Sequence, residues 1–454
     1  NLHDELLEQC GEERGNQLWH RYGNAFPAGY AEAFSAQEAT FDVEKMEEVM
    51  ATGRVGMNLY QAIEAPENAL RFKLFHHGAP LPLSDTLPML ENMGFRVIEE
   101  HPFDIRLYGE ESSIWIHDYG LEVSAGVAFD LHEVKENLQE AFGRVWYGEL
   151  ENDGFNRLVI QAGLEWRQVV ILRAFCKYLR QTGITFSQAY MENTLAANPG
   201  IARDIVNLFH TRFDPHDRKR AARNEVTLVQ GIETALDAVA NLDEDRILRR
   251  FLNLVQSILR TNFYQPAEDG SVKSYVSFKI DSQNIPELPL PRPFVETFVY
   301  SPRAEAIHLR GGKVARGGLR WSDRPEDFRT EILGLMKAQM VKNAVIVPVG
   351  AKGGFVAKRL PSTGGREAVQ AEVVECYKTL IRGLLDLVDN NVEGKVVPPK
   401  DVVRFDDDDP YLVVAADKGT ATFSDIANGV AIDYGFWLGD AFASGGSEGY
   451  DHKG

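Results

Sequence analysis

The residues best suited to chemistry lie in the last third of the chain, where lysine occurs among glycines. Lys352 stands within the segment Gly-Ala-Lys-Gly-Gly at 350–354, and Lys342 lies ten residues before it. Because glycine carries no side chain, the backbone around Lys352 can approach a ligand closely. We expect a site that binds a dianionic small molecule and keeps an amine ready for chemistry.

Two other polar residues can join these lysines at one site. Gln339 and Lys342 are three residues apart near the end of a predicted helix, so both project from one face. Arg316 precedes that helix, and Lys352 follows it beyond one strand. A dicarboxylate needs one cation for each carboxylate and a separate amine for catalysis. The alternative interpretation is that these lysines lie on the surface in salt bridges. We favour it for Lys342 when that residue is considered by itself, but not for Lys352.

The elements that position these residues alternate between strand and helix. A helix is predicted to begin at Asp323 and another to cover 368–387. The predicted strands lie at 296–300, 306–309, 345–348 and 411–415. This alternation indicates helices that cover a central sheet, and it predicts an α/β domain over residues 270–454.

The preceding residues divide into three parts by their hydrophobic patterns. Residues 1–40 are predicted to be helical, residues 41–130 show short strands from about Phe41, and residues 131–265 return to helix. The middle part has a βαββ order, which predicts a small ferredoxin-like α+β module. Its strands are predicted at 70–75, from 96–98 onward, at 105–108 and at 113–116. The predicted fold class is therefore α/β and α+β multidomain.

The composition argues against several classes of function. A net charge of −19 disfavours a nucleic-acid-binding surface, because phosphate contacts need clustered Lys and Arg. No apolar run is long enough to span a bilayer, and no signal peptide is recognisable. The three cysteines lie outside any CxxC pattern, so we expect free thiols, a cytoplasmic location and no metal site. A nucleoside-triphosphate site is disfavoured because no Gly-Lys-Ser/Thr stands at the required spacing.

Together these motifs resemble a known enzyme family. Arg-Gly-Gly-Leu-Arg at 316–320, Gln339-x-x-Lys342 and the segment 350–354 are similar to the substrate domain of the glutamate dehydrogenases. Ala-Asp-Lys-Gly-Thr at 416–420 resembles the family's segment with the catalytic aspartate. The surrounding sequence resembles the very large NAD-specific bacterial class, in which ACT-like modules and helical segments precede the catalytic domain.

The resemblance implies roles for individual residues. Lys352 matches the catalytic lysine, which assists the attack of water on the iminium. Asp417 matches the aspartate that moves protons to and from the substrate nitrogen. Lys342 matches the α-carboxylate binder, and Gln339 matches a neighbouring substrate contact. Arg316 stands where ordinary members have a lysine for the side-chain carboxylate, and its guanidinium keeps the charge but changes the geometry.

The resemblance also implies oxidative deamination of L-glutamate to 2-oxoglutarate and ammonia with NAD, by a homo-oligomer in the full-length protein. Gly317 and Gly318, beside Arg316, would belong to the substrate-binding residues. The chain contains no Gly-x-Gly-x-x-Gly, so the NAD-binding residues are unknown and a nucleotide-binding domain is expected after residue 454. We expect the chain by itself to show no NAD turnover.

A regulatory or assembly role is the alternative for this chain. In that case the ACT-like module binds an amino-acid effector, and the helices build an oligomer. Loss of turnover on Lys352→Ala substitution in the full-length enzyme would favour the catalytic role.

Overall fold

The computed structural model describes residues 1–342 and 349–448. The chain divides into two compact units, Asn1–Val169 and Val170–Gly454. Across the described residues, none of the helices combines the length and the apolar character that a membrane span requires.

The first unit packs helices on a four-stranded sheet. One core joins side chains of the N-terminal helices to Phe75, Ile114 and Ile116 of the sheet, and Phe142 contacts Phe72 with ring centroids 5.0 Å apart. The elements of this unit are α1 (Leu2–Cys10), α2 (Glu12–Tyr22), α3 (Ala28–Ala33), α4 (Ala36–Thr52), β1 (Gly56–Tyr60), β2 (Ala69–Gly78), α5 (Leu83–Asn92), β3 (Phe95–Ile105), β4 (Ser113–Val123), α6 (Leu131–Trp146) and α7 (Leu158–Gln161).

The sheet of the first unit is antiparallel, with the strand order β1-β2-β4-β3. The predicted βαββ segment is present as β2, α5, β3 and β4, and β1 adds an edge strand before it. The prediction of strands from Phe41 was wrong, because α4 continues to Thr52 after a capping box between Ser35 and Glu38. The strand predicted to start at 96–98 is present as β3, but the separate strand predicted at 105–108 was wrong, since β3 is one strand that ends at Ile105.

The second unit begins with helices and continues into a seven-stranded sheet. Its elements are α8 (Trp166–Gln181), α9 (Gln188–Ala197), α10 (Pro199–Phe213), α11 (Arg218–Asp237), α12 (Leu242–Ser257), β5 (Ile258–Thr261), β6 (Val276–Ile280), β7 (Val295–Tyr300), β8 (Ala304–Arg310), β9 (Ala315–Trp321), α13 (Phe328–Lys342), β10 (Val349–Ala357), α14 (Gly365–Leu385), β11 (Asn390–Val392), β12 (Lys395–Val397), β13 (Val413–Ala416) and α15 (Ser424–Asp433).

Helices cover both faces of this sheet, whose order is β13-β9-β10-β8-β7-β6-β5. Strands β13, β9 and β10 are mutually parallel, and the other neighbours are antiparallel. On one face, Leu319 and Phe355 join a core with α14 and α15. On the other, Phe175 of α8 contacts Phe278, and Ile332 of α13 lies against Gly354. The predicted α/β and α+β multidomain class is therefore confirmed.

A buried ion pair joins α13 to the middle of the sheet. Arg329 donates two hydrogen bonds, of 2.8 and 2.9 Å, to the carboxylate of Glu296 on β7. Both side chains are almost completely buried, so each charge depends on the other for compensation.

Helix α13 begins five residues later than the sequence predicts. The prediction of a helix from Asp323 was wrong, because residues 325–327 form a turn and α13 starts at Phe328. The amide of Gln181 donates to the carbonyls of Pro325 and Glu326, which holds this turn from outside the segment. The predicted strand at 345–348 lies outside the described residues, and β10 is described from Val349.

The four aspartates at 406–409 form a charged loop before β13, and two of them, Asp406 and Asp409, pair with buried cations of the sheet. Asp409 contacts Lys279 at 2.8 Å and also pairs with Arg310, while Asp406 pairs with Lys279 and Arg260. Burial acts to raise the pKa of Asp409, but hydrogen bonds from Arg310 and the charges of Arg310 and Lys279 outweigh it and lower the pKa.

Candidate active site

Three parallel strands bring the candidate residues to one edge of the second unit's sheet. Arg316 on β9 is in register with Gly350 on β10 and with Val413 on β13. Lys352 lies two residues further along β10, and Asp417 directly follows β13. Because β9 is hydrogen-bonded to both other strands, residues far apart in sequence are brought into contact here.

Lys352 and Asp417 form a direct ion pair. The Nζ of Lys352 donates to Oδ2 of Asp417 at 3.3 Å, across 65 residues of sequence. The side chains are 20% and 16% exposed, so they lie near the surface and are partly shielded from water. An amine and a carboxylate at this distance can both exchange protons with a molecule bound beside them.

Besides Lys352, two groups hold the carboxylate of Asp417. The backbone N–H of Lys418 donates to Oδ1 at 2.7 Å, and Arg320 donates to the same oxygen at 3.2 Å. The backbone N–H of Asp417 donates to the hydroxyl of Thr420. Burial acts to raise the pKa of Asp417, but the Lys418 N–H, Arg320 and the charge of Lys352 outweigh it and lower the pKa. Asp417 is therefore ionised at neutral pH.

Two glycines on β9 allow the close packing of this edge. A Cβ on Gly317 would lie 1.6 Å from the carbonyl oxygen of Ala351, and a Cβ on Gly318 would lie 2.9 Å from Cβ of Asp417. Any larger residue would push the strands apart or displace Asp417. The expected Gly317 and Gly318 thus lie next to the Lys352–Asp417 pair.

Gln339 of α13 reaches the start of β9. Its Nε2 donates to the backbone carbonyl of Arg316 at 3.1 Å. Its Oε1 is buried and has no hydrogen-bond partner among residues 1–342 and 349–448. An unsatisfied buried acceptor is costly, so this oxygen is available to a donor that enters the site.

Arg316 is exposed and lines a cavity of about 590 Å³. Gly317 and Gln339 line the same cavity, together with Ser424, Ser444 and residues of β13. The cavity is large enough for a small dicarboxylate. Lys342 is the last residue of α13, three residues after Gln339, and its side chain lies outside the described part of the chain.

Sequence reasoning missed two charged residues of this edge. Arg320 contacts Asp417, and Glu331 of α13 lies 3.8 Å from Arg320. Arg320 closes the Arg-Gly-Gly-Leu-Arg motif, which was a usable signal. Glu331 had none, because its contact depends on how α13 packs on the sheet.

Comparison with known protein families covers most of the chain. The catalytic domain of the bacterial NAD-glutamate dehydrogenases matches residues 231–454. Three further glutamate dehydrogenase models match, namely helical motif 2 at 5–49, the ACT3 domain at 54–134 and helical motif 3 at 150–215.

Full-length relatives agree with these matches. The NAD-specific glutamate dehydrogenase of Halomonas elongata is 54% identical over 100% of this chain, and that of Pseudomonas aeruginosa is 54% identical over 99%. The enzyme of Mycobacterium tuberculosis is 47% identical over 95%. This chain spans only 28%, 28% and 27% of the length of these relatives. It belongs to the family of the bacterial NAD-specific glutamate dehydrogenases.

Proposed function

We propose that the protein containing this chain oxidatively deaminates L-glutamate to 2-oxoglutarate and ammonia with NAD, and that this chain supplies the substrate-binding half of the site. The contact between Lys352 and Asp417 carries the proposal, because it joins an amine and an ionised carboxylate, and Ala416, which directly precedes Asp417, lines the cavity. The relatives are named as NAD-specific glutamate dehydrogenases, which supports glutamate and NAD as the reactants.

Lys352 and Asp417 divide the proton transfers of the hydrolytic step. Lys352, as the free amine, accepts a proton from the water whose oxygen bonds to the iminium carbon. Asp417 first takes a proton from the substrate ammonium and, after water has added, returns it to the nitrogen. The C–N bond then breaks with ammonia as the leaving group, while the hydroxyl group on the same carbon gives its proton to Asp417 and becomes the carbonyl. A lowered pKa keeps Asp417 ready to accept the first proton.

The surrounding residues bind the two carboxylates. Arg316 is assigned to the side-chain carboxylate and Lys342 to the α-carboxylate. The Oε1 of Gln339, which has no partner within the described part of the chain, is assigned as an acceptor for the substrate ammonium. Gly317 and Gly318 let β9 pack closely against Ala351 and Asp417, and this packing places the proposed substrate-binding residues together. The exposure of Arg316 fits a residue that meets a ligand at the mouth of the cavity.

The residues of this chain do not fit NAD itself. Residues 322–327 and 358–364, which follow β9 and β10, contain no Gly-x-Gly-x-x-Gly, and the motif is absent from the whole sequence. Hydride transfer is therefore assigned to no residue of this chain.

We further propose four parts for the chain: residues 1–40, an ACT-like module at 41–130, a helical part at 131–265 and the substrate domain at 270–454. The match of the ACT3 model to residues 54–134 supports an amino-acid effector for the module. A homo-oligomer in the cytoplasm completes the proposal.

The test uses Lys352→Ala in the full-length protein. General acid–base catalysis contributes on the order of 100- to 10,000-fold, so kcat should fall by at least about 100-fold while glutamate binding is partly kept. Lys378→Ala is the control, because Lys378 lies on α14, which covers the opposite face of the sheet. Unchanged glutamate-dependent NADH formation by Lys352→Ala would sink the assignment.

A further inference from the structure

Arg320 occupies a central place in the candidate site without an assigned role. It lies on β9, one residue before the strand ends, and its side chain is 21% exposed. One terminal nitrogen contacts Oδ1 of Asp417 at 3.2 Å, and the other lies 3.8 Å from Glu331. The guanidinium therefore stands between two carboxylates.

The position of Arg320 is unfavourable for stability alone. Its Nε is buried and finds no hydrogen-bond partner within the described residues 1–342 and 349–448. Leaving such a donor unsatisfied destabilises the folded state. A side chain kept in place despite that cost suggests a functional contact, and Asp417 is the contact that the geometry offers.

Arg320 and Lys352 bind different oxygens of Asp417. Oδ1 receives Arg320 and the N–H of Lys418, whereas Oδ2 faces Lys352. When Lys352 turns to a substrate, Asp417 still has two donors on Oδ1. The other oxygen of Asp417, Oδ2, therefore keeps its orientation.

The charges alternate along this row of side chains. Glu331 is negative, Arg320 positive, Asp417 negative and Lys352 positive. Glu331 also lies 3.7 Å from Arg324, which precedes α13. Because Glu331 partly neutralises Arg320 and itself repels Asp417, the two residues act on the proton affinity of Asp417 in opposite directions.

We propose that Arg320 is the positioning residue for Asp417, and that Glu331 sets the strength of its effect through the guanidinium. The inference rests on the proposed function, since it assigns Asp417 a proton-transfer role. It adds a second pair of residues to that role, neither of which touches the substrate.

The test compares Arg320→Gln, Arg320→Lys and Glu331→Gln in the full-length protein, by the pH dependence of kcat and kcat/KM. The groups that face Asp417 are Lys352, Arg320 and Lys418, with Glu331 and Arg324 behind them. Loss of the Arg320 charge should move the acid limb to higher pH. Loss of the Glu331 charge should move it to lower pH.

The rate should separate the same variants. Arg320→Gln should lower kcat by on the order of 10- to 100-fold with a smaller change in KM, since one of two anchors of a proton-transfer group is lost. Arg320→Lys should return the acid limb toward its original pH, because it keeps the charge. If the two residues were merely structural, Arg320→Gln and Glu331→Gln would not shift the acid limb in opposite directions.

Two results overturn the inference. Either both variants leave the acid limb in place, or both move it in the same direction, while the wild-type protein is active and Lys352→Ala is inactive. With either result the roles assigned to Arg320 and Glu331 fail, but the proposed function still stands. If Lys352→Ala keeps full activity, the proposed function fails first. Glu331→Gln changes one group with similar shape, so it serves if Arg320→Gln does not fold.

Discussion

Gly317→Ala tests the packing that forms the site. The added Cβ would lie 1.6 Å from the carbonyl oxygen of Ala351 and 2.8 Å from its carbonyl carbon. An ordinary carbon–oxygen contact is about 3.3–3.6 Å, so β9 and β10 must separate by more than 1 Å at this point. Both atoms met are backbone, and no side-chain rotation relieves the overlap.

The cost follows from the hydrogen bonds that the separation breaks. Losing two or three backbone bonds of the ladder, each worth about 1–3 kcal/mol when its groups stay buried and unpaired, lowers the free energy of unfolding by roughly 2–9 kcal/mol. Lys352 is adjacent to Ala351, so the same movement displaces its amine from Asp417. Activity of the full-length protein should fall together with stability.

Gly334→Ala is the matched control. Gly334 lies exposed on α13, and a Cβ there would meet nothing within 4 Å. Alanine in place of glycine inside a helix stabilises by about 0.5–1 kcal/mol. Gly317→Ala and Gly334→Ala add the same atom in the same unit, yet the first should lower the free energy of unfolding and the second should raise it.

The assay is urea unfolding followed by circular dichroism, with hydrogen exchange of the β9 and β10 peptides to assign the transition to the second unit. A loss of less than about 1 kcal/mol in Gly317→Ala, with unchanged exchange in both strands, would refute the close approach of the two backbones.

Two further predictions concern buried charges. Glu296→Gln should lower the free energy of unfolding by about 3–5 kcal/mol, because Arg329 is left buried without a counter-charge, whereas Glu372→Gln, on a partly exposed pair, should cost about 1 kcal/mol or less. Urea unfolding measures both losses, and equal losses of stability in Glu296→Gln and Glu372→Gln would contradict the reasoning. Asp409 has a folded pKa below its unfolded value, so its contribution to stability is present at neutral pH and is lost as the pH falls below about 4. Asp409→Asn should therefore be less stable at pH 7 and less sensitive to acid, and a variant with the wild-type acid dependence would contradict this.

Local patterns predicted much of the fold because they depend on neighbouring residues. The strands at 296–300 and 306–309 are present as β7 and β8, and the helix at 368–387 is present as α14. The errors arose where distant groups decide. The start of α13 depends on Gln181, which binds the carbonyls of the turn before it.

The candidate site shows the same division. The sequence alone determined the glycine-flanked amine of Lys352, the Arg-Gly-Gly-Leu-Arg motif and the aspartate at 417, since these are matters of residue type and short spacing. Only the tertiary structure decided that Lys352 and Asp417 lie 3.3 Å apart, and that Arg320 and Glu331 stand behind them. The physical reason is the strand order: β9 pairs with both β10 and β13, and backbone hydrogen bonds across those pairs fix contacts that local spacing does not specify.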